Sequence, residues 1–161
     1  MKIYINDKEY LASDGETIIQ VADRNNIHIP RFCYHKHLSV VASCRMCLVE
    51  IDKAKQAQPA CSTLVHEDMH VNTKSQKTKD AQKSTMEFLL INHPLDCPIC
   101  DQAGECELQD VSLQHGDSKS NYLQFKRVVV DEEISPLIST EMTRCIHCSR
   151  CVRFGEEVAH E

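Results

Sequence analysis

The sequence predicts an α+β protein made of a small sheet domain, a helical segment and a third segment rich in cysteine. Alternating apolar and polar residues, typical of strands, are concentrated in residues 1–76, whereas helical spacing dominates residues 77–118. Ten cysteines occur in a chain with no tryptophan and only 5% aromatic residues. Bonds to sulfur are therefore expected to replace part of an ordinary core. Residues 119–161 form the third segment.

The first segment is predicted to begin with a β-hairpin followed by a short helix. "KIYINDKEYLA" alternates apolar and polar residues on both sides of Asn6 and Asp7, which places the turn of the hairpin at these two residues. In "DGETIIQVADRNNI", Thr17 and Gln20 have the spacing of a capping box, so a helix is expected to begin there. "CLVEI" and "DMHVNT" are predicted as two further strands after a long loop. This order fits a small α+β domain.

The second segment is predicted to be helical. "KTKDAQKSTMEFLLINHP" contains a set of residues at helical spacing, and Pro94 ends the pattern. The residues at this spacing are Ala81, Thr85, Phe88, Leu89 and Asn92. "CELQDVSLQ" is predicted as a second short helix, and "YLQFKRVVV" in the third segment as a strand.

Composition limits the classes of function. The net charge is −6 and the basic residues are scattered, so the sequence gives little support to nucleic-acid binding. The sequence contains no recognisable secretory or transit leader and no apolar run long enough to span a bilayer. We therefore expect a soluble protein in a reducing compartment, where clustered cysteines bind metal more often than they form disulfides.

The first candidate site consists of Cys33, Cys44, Cys47 and Cys61. A loop cysteine, a C-x2-C pair and a distant fourth cysteine resemble the ligand pattern of plant-type 2Fe-2S ferredoxins, with the first gap widened. A C-x2-C turn brings two sulfurs close together while loop N–H groups face the bound group. Zinc held by the same four cysteines is the alternative on spacing alone.

The second candidate site consists of His93, Cys97, Cys100 and Cys106. The spacing H-x3-C-x2-C-x5-C suits either zinc bound by three cysteines and one histidine or an iron-sulfur cluster, and the residues alone do not decide between them. A histidine before proline at a helix end is often only a capping or core residue. Gly104 lies where the loop is expected to turn closely around the bound group.

The third candidate site consists of Cys145, Cys148 and Cys151. C-x2-C-x2-C matches the first three ligands of the bacterial 4Fe-4S pattern, whereas tetrahedral zinc rarely takes ligands at this spacing. The other seven of the ten cysteines belong to the first two sites, so none is left as a fourth ligand. We therefore expect the chain to be a fragment or truncated product, with a third cluster that is incomplete within these residues.

Three stretches carry a resemblance to a known family: "HLSVVASCRMCLVEI", "INHPLDCPICDQAGECELQD" and "ISTEMTRCIHCSRCVRF". Together they resemble the N-terminal iron-sulfur portion of the large iron-sulfur subunit of NADH-quinone oxidoreductase, respiratory complex I. The resemblance implies a β-grasp 2Fe-2S ferredoxin-like domain, a small helical domain with a 4Fe-4S cluster on one His and three Cys, and the truncated start of a 4Fe-4S ferredoxin-like domain. It raises His93 from an ambiguous residue to an expected ligand.

The resemblance also implies a function. The chain is expected to relay electrons from NADH and flavin toward quinone through its clusters, with no catalytic side chain of its own. It implies association with other peripheral-arm subunits of complex I, including the flavin- and NADH-binding subunit. It places the protein at the cytoplasmic side of the bacterial inner membrane, or at the matrix side in mitochondria, with no membrane span of its own.

Two features of the sequence qualify this expectation. Ala42 stands where relatives usually have glycine, so the first ligand loop is expected to differ slightly. Several arginines flank the ligand cysteines and could raise reduction potentials by offsetting negative charge. These are Arg45, Arg144, Arg150 and Arg153.

Three alternative functions remain open at the level of sequence. An iron-sulfur subunit of an NAD-reducing or iron-only hydrogenase carries related motifs. A soluble ferredoxin-like carrier would act alone. A zinc-binding scaffold would have no redox role.

Overall fold

The computed structural model describes residues 1–131 and 133–161. Seven strands and four α-helices make up its regular structure, with single 3-10 turns over Cys97–Ile99 and Met142–Arg144 and a π-helical turn over Gly155–Ala159. The strands are β1 Lys2–Ile5, β2 Lys8–Leu11, β3 Leu48–Ile51, β4 Gln58–Pro59, β5 Met69–Asn72, β6 Glu133–Ser135 and β7 Ile138–Ser139. The helices are α1 Ile18–Arg24, α2 Gln76–Leu90, α3 Glu107–His115 and α4 Arg150–Phe154.

The N-terminal hairpin confirms the prediction from sequence. β1 and β2 pair antiparallel, with Ile5 opposite Lys8, so Asn6 and Asp7 alone form the turn. Both residues have positive φ, 50° and 65°, as a two-residue turn of the type that suits strand twist requires. Asparagine and aspartate tolerate this conformation better than other non-glycine residues.

A five-stranded mixed sheet in the order β2-β1-β5-β3-β4 forms the first domain. β1 and β5 are parallel, and the remaining neighbours are antiparallel. The short strand β4 was not predicted, since two residues carry no alternation. Helix α1 begins as expected, with the Thr17 N–H donating to Gln20 Oε1 at 2.8 Å. Its residues Ile18, Ile19, Val21 and Ala22 are buried against the sheet and form the first core with the inward side chains of β1, β3 and β5.

Helix α2 is present as predicted, but the residues that it buries are not those whose helical spacing indicated the helix. The buried residues are Thr78, Gln82 and Met86, whereas Phe88 is 72% exposed. Thr78 Oγ1 accepts from the Glu50 N–H at 3.0 Å, and Gln82 Nε2 donates to the Leu48 carbonyl at 3.1 Å. The helix therefore docks on backbone groups of β3 through two polar residues, which a search for apolar spacing does not find.

The run at residues 122–130 is not a strand, so that prediction was wrong. The chain there is extended and exposed, and it is fastened to the end of α2 instead of to another strand. Lys126 Nζ donates to the Leu90 carbonyl at 2.7 Å, and the Arg127 N–H donates to Asn92 Oδ1 at 3.0 Å. A β-propensity pattern needs a neighbouring strand to pair with, and this run finds hydrogen bonds elsewhere.

A second apolar core joins all three segments. Its members include Met86 of α2, Leu108 and Val111 of α3, and Phe32 and Met46 of the first domain. Cys33 and Cys44 belong to this core, and Cys106, Ile146 and Cys148 pack against it. The helical segment thus covers the cysteine loop of the sheet domain. No helix in the described residues is long and apolar enough to span a membrane.

A comparison of Met86→Ala with Phe88→Ala should show which face of α2 is buried. Met86 is 0% exposed, so its removal leaves a cavity between segments and should lower the free energy of unfolding by about 2–5 kcal/mol. Phe88→Ala, on the same helix, removes a larger but exposed side chain and should change stability by no more than about 0.5 kcal/mol. Urea unfolding of both variants measures the difference. Equal losses would contradict the assigned face.

Candidate metal centres

The first candidate site is assembled from three loops of the sheet domain. Cys33 follows α1, Cys44 and Cys47 precede β3, and Cys61 follows β4. All four are buried, with exposures of 0–7%. The Ala60 N–H donates to the Cys47 carbonyl at 3.0 Å, which ties the two later loops together. The structure therefore brings together all four cysteines of the first set that the sequence indicated.

Backbone amides point at sulfur in this loop. The N–H groups of Cys33 and Met46 donate to Cys44 Sγ at 3.4 and 3.5 Å. Arg45, between the two cysteines of the C-x2-C turn, has φ 57°, which turns the following N–H toward Cys44. Such amide donors stabilise a thiolate in a site from which water is excluded.

The four thiols interact with one another in the metal-free chain. Hydrogen bonds from Cys44 and Cys61 lower the pKa of Cys33 well below its usual range, and a hydrogen bond from Cys61 lowers the pKa of Cys47 to about 7. Hydrogen bonding to Cys33 conversely raises the pKa of Cys44 and of Cys61. These shifts favour thiolate at Cys33 and Cys47, and thiolate is the form that binds metal.

The contacts among these sulfurs form a chain from Cys44 through Cys33 and Cys61 to Cys47. Within the described residues, no three His, Cys, Asp or Glu side chains converge closely enough to hold a single metal ion. The four sulfurs are nonetheless linked by direct contacts within one buried site.

Ala42 takes a conformation that favours glycine. Its φ is 51°, in the left-handed region, where a Cβ is strained against the backbone. The loop therefore follows a backbone path that favours glycine, although the residue is alanine. The conformational strain lowers the stability of the sheet domain.

The second candidate site is a cavity of about 580 Å³. His93, Cys97, Cys100 and Cys106 all line it. They are supplied by the loop after α2, by the 3-10 turn Cys97–Ile99 and by the residue that precedes α3. Met86, Leu90 and Leu108 form apolar walls between them. The cavity brings together one histidine and three cysteines around a space that no side chain fills.

His93 is a fitting ligand for this cavity. Its Nδ1 is buried and has no hydrogen-bond partner among the described residues, which is costly unless something else binds the ring. Burial, aided by the positive charge of Lys126, lowers the pKa of His93 below its usual value. The imidazole is therefore neutral near neutral pH, as metal binding requires. The donor set and the orphaned nitrogen fit a 4Fe-4S cluster with one histidine ligand.

Two cations at this cavity were not foreseen as members of the site. Lys126 and Arg144 both line it, and Arg144 Nε donates to Asp96 Oδ2 at 3.2 Å. Lys126 lies in the run that was predicted as a strand, so its sequence context carried no signal for this position. Gly104 has φ 90°, which explains the glycine, but a Cβ there would meet nothing within 4 Å. Its role is the turn itself, without a close approach by the rest of the chain.

The third candidate site lies on an open loop. Cys145 and Cys151 are exposed and Cys148 is half-buried. The His147 N–H donates to Cys145 Sγ at 3.3 Å, in a turn where His147 has φ 54°. The C-x2-C turn of the first site has the corresponding N–H to Sγ hydrogen bond, from Met46 to Cys44, but its positive φ lies one position earlier in the turn, at Arg45. The three cysteines thus share one loop that leads into α4.

The arginines beside the ligands differ in their surroundings. Arg45 is exposed. Arg144 pairs with Asp96, and Arg150 pairs with Glu107 at 3.2 Å. Arg153 is only 5% exposed, and its guanidinium contacts the first ligand loop. All four lie within two residues of a motif cysteine, and the packing distinguishes their surroundings.

Family models match the three segments in chain order. A 2Fe-2S iron-sulfur cluster binding domain matches residues 1–76. The NADH-ubiquinone oxidoreductase-G iron-sulfur binding region matches residues 82–120. A ferredoxin-like domain of NADH-quinone oxidoreductase subunit 3 matches residues 135–161. The chain therefore carries a 2Fe-2S domain, a second iron-sulfur region and part of a ferredoxin-like domain.

Relatives agree with these matches. The chain is 46% identical over 159 residues, 99% of its length, to the NADH-ubiquinone oxidoreductase 75 kDa subunit of Reclinomonas americana, of which it covers 23%. It is 45% identical to the mitochondrial NADH dehydrogenase (ubiquinone) iron-sulfur protein 1 of Solanum tuberosum, of which it covers 22%. The chain thus spans about a quarter of the length of these relatives. A crystal structure of an NAD+-reducing NiFe hydrogenase has a TM-score of 0.88 at 25% identity, covering 96% of this chain and 65% of that one.

Ala42→Gly should stabilise the sheet domain. Glycine adopts the left-handed conformation without a Cβ penalty, so the free energy of unfolding of the metal-free chain should rise by up to about 1 kcal/mol. Gly15→Ala is the matched control. Gly15 has φ 79° with open space around it, so the free energy of unfolding of this variant should fall by about as much. Thermal unfolding measures both. A destabilised Ala42→Gly would show that the methyl group packs favourably.

Proposed function

The chain belongs to the family of the large iron-sulfur subunit of NADH-quinone oxidoreductase, and from this premise we propose that it relays electrons within an NADH-oxidising complex. Electrons enter from a flavin-binding partner subunit and leave toward quinone. Iron-sulfur clusters supply reversible one-electron transfer when bound. The residues of this chain hold them, separate them from water and set their distances.

One observation carries the proposal above the others. Cysteines from all three candidate sites belong to the second apolar core or pack against it: Cys33 and Cys44, Cys106, and Cys148. Electron tunnelling falls steeply with distance, so a relay needs its centres close together and rigidly held. A scaffold that bound separate zinc ions would have no need to place three sites around one core.

The proposed ligands follow the three sets. A 2Fe-2S cluster is held by the buried set Cys33, Cys44, Cys47 and Cys61. A 4Fe-4S cluster is held by the cavity set His93, Cys97, Cys100 and Cys106. A further 4Fe-4S cluster takes Cys145, Cys148 and Cys151. We place the corresponding domains at residues 1–76, 77–118 and 119–161.

Partners and location follow from the same premise. We propose that the chain binds other peripheral-arm subunits, including the one that holds flavin and oxidises NADH. The complex then lies on the cytoplasmic side of a bacterial inner membrane, or on the matrix side in mitochondria. The binding of partner subunits is supported by the many large apolar side chains that are exposed in residues 122–138, among them Leu123, Phe125 and Leu137.

A second candidate function rests on the similarity to the hydrogenase structure. The same fold serves there in an enzyme that reduces NAD+, and this chain could be the iron-sulfur subunit of such a complex. The discriminating measurement is the composition of the native complex that co-purifies with the chain. A hydrogenase large subunit among its partners would favour this second function.

Metal content tests the relay itself. The native complex should be brown, contain iron and acid-labile sulfide in this chain, and give electron paramagnetic resonance signals on reduction. A colourless preparation that contains zinc and lacks sulfide would exclude the relay and favour the scaffold.

His93→Ala should damage the second cluster selectively. The two ligand sets lie in separate segments, so the 2Fe-2S signal should persist while the signal of the His-ligated cluster is lost. His93→Cys should retain a cluster, because thiolate is also an iron ligand, but at a lower potential since it adds negative charge. His115→Ala is the control, as His115 is also half-buried and lies on α3 but belongs to no ligand set. Two undiminished signals in His93→Ala would show that His93 is not a ligand.

A further inference from the structure

Arg153 is the most deeply buried charged side chain among the described residues, at 5% exposed. We propose that it is a positioning residue that holds the third ligand set against the first, and that its charge is balanced by the negative groups that both sets hold. This inference rests on the proposed function, since it requires clusters at both sets. It concerns one guanidinium and the two loops that it joins.

The guanidinium bridges two ligand loops through their backbone. Nη2 donates to the carbonyl of Cys33 and, at 3.2 Å, to the carbonyl of Cys148. Nη1 donates to the Ser39 carbonyl at 2.6 Å. Cys33 and Cys148 are themselves proposed ligands of two different clusters. A single planar side chain therefore sets the separation of one ligand from each set.

Further bonds restrict the side chain to this position. Arg153 Nε donates to the carbonyl and to the hydroxyl oxygen of Ser149, both at 3.3 Å. The Ser149 carbonyl also accepts from the Arg153 backbone N–H at 3.1 Å, so it faces the arginine at the start of α4. Arginine suits this role because its fork of donors reaches several acceptors in one plane.

The charge of Arg153 has no ion-pair partner among the described residues. Within residues 1–131 and 133–161, none of the ion pairs includes Arg153. Glu157 feels its charge, but that carboxylate is exposed and accepts hydrogen bonds from Ser39. A buried cation whose hydrogen bonds all go to neutral carbonyl and hydroxyl oxygens is costly. Thiolates and clusters on both sides are the negative groups that would compensate it.

Arg150 offers a comparison on the same helix. Its Nη2 also donates to a carbonyl of the first ligand loop, that of Tyr34, at 2.9 Å. Its charge, however, pairs with Glu107 and its side chain is 30% exposed. Loss of Arg150 removes a similar docking contact and the same formal charge, but the charge it removes is already paired and partly solvated.

The experiment is a redox titration of the 2Fe-2S signal by electron paramagnetic resonance in the native complex, for wild type and variants. Arg153→Gln should lower the midpoint potential, because a reduced cluster gains negative charge beside a lost cation. Arg153→Lys keeps the charge and should stay nearer to wild type. Arg150→Gln should shift the potential less than Arg153→Gln.

Hydrogen exchange of the metal-free chain supplies a second readout for the positioning role. Amides of residues 33–39 and 146–154 should exchange faster in both Arg153 variants, since the single ammonium nitrogen of lysine cannot reproduce the planar fork of donors that reaches carbonyls of both loops. If Arg153→Gln fails to retain iron, the redox titration of Arg153→Lys tests the role of the charge instead. A lysine variant that assembles with a near-normal potential supports the role of the charge.

Three results would overturn the inference. The first is an unchanged potential in an iron-replete Arg153→Gln. The second is an equal shift in Arg150→Gln, which would indicate net charge alone. The third is failure of both Arg153 variants to assemble, which would indicate packing alone. A wild-type protein that holds zinc instead of iron would contradict the proposed function itself, and that outcome is recognised before any variant is compared.

Discussion

The packing of α2 and α3 over the first cysteine loop is the constraint on which the rest of the structure depends. Met86 reaches from α2 into a core that contains Cys33 and Cys44, and Leu108 and Val111 extend this core along α3. Because one apolar cluster serves the sheet domain and the helical segment, neither can move without exposing the other. The loop after α2 and the start of α3 are thereby held in place, and these two regions carry His93 and Cys106.

The candidate sites differ in how much of their geometry the protein supplies without metal. The first is preformed, since its four thiols are buried and backbone amides already point at Cys44. The second is a cavity with an orphaned imidazole nitrogen, so binding there satisfies a polar atom and fills a space. The third is an exposed loop that depends on α4 for its position. Metal binding should accordingly contribute more to folding at the second site than at the first.

The close grouping of the cysteines makes the positive groups beside them important, because bound clusters and thiolates are negatively charged. Each site places cations or amide donors next to sulfur, but only some of these cations are free of carboxylate partners. Arg144 and Arg150 are neutralised in part by Asp96 and Glu107 and mainly join segments. Arg153 is buried among carbonyls of two ligand loops and forms no ion pair among the described residues. Burial, more than proximity in sequence, is therefore the property that we propose distinguishes Arg153 from the other arginines.

The sequence by itself determined the local elements and indicated the candidate ligand sets. Asn6 and Asp7 specify a hairpin turn, Thr17 and Gln20 a helix start, and cysteine spacing specifies which sulfurs can share a site, because each depends on residues close in the chain. Tertiary structure decided the rest. The buried face of α2, the extended path of residues 122–130 and the burial of Arg153 depend on what lies opposite them. Thr78 and Gln82 are buried because β3 offers them backbone partners, and no pattern within a single helix can reveal a partner that another segment brings.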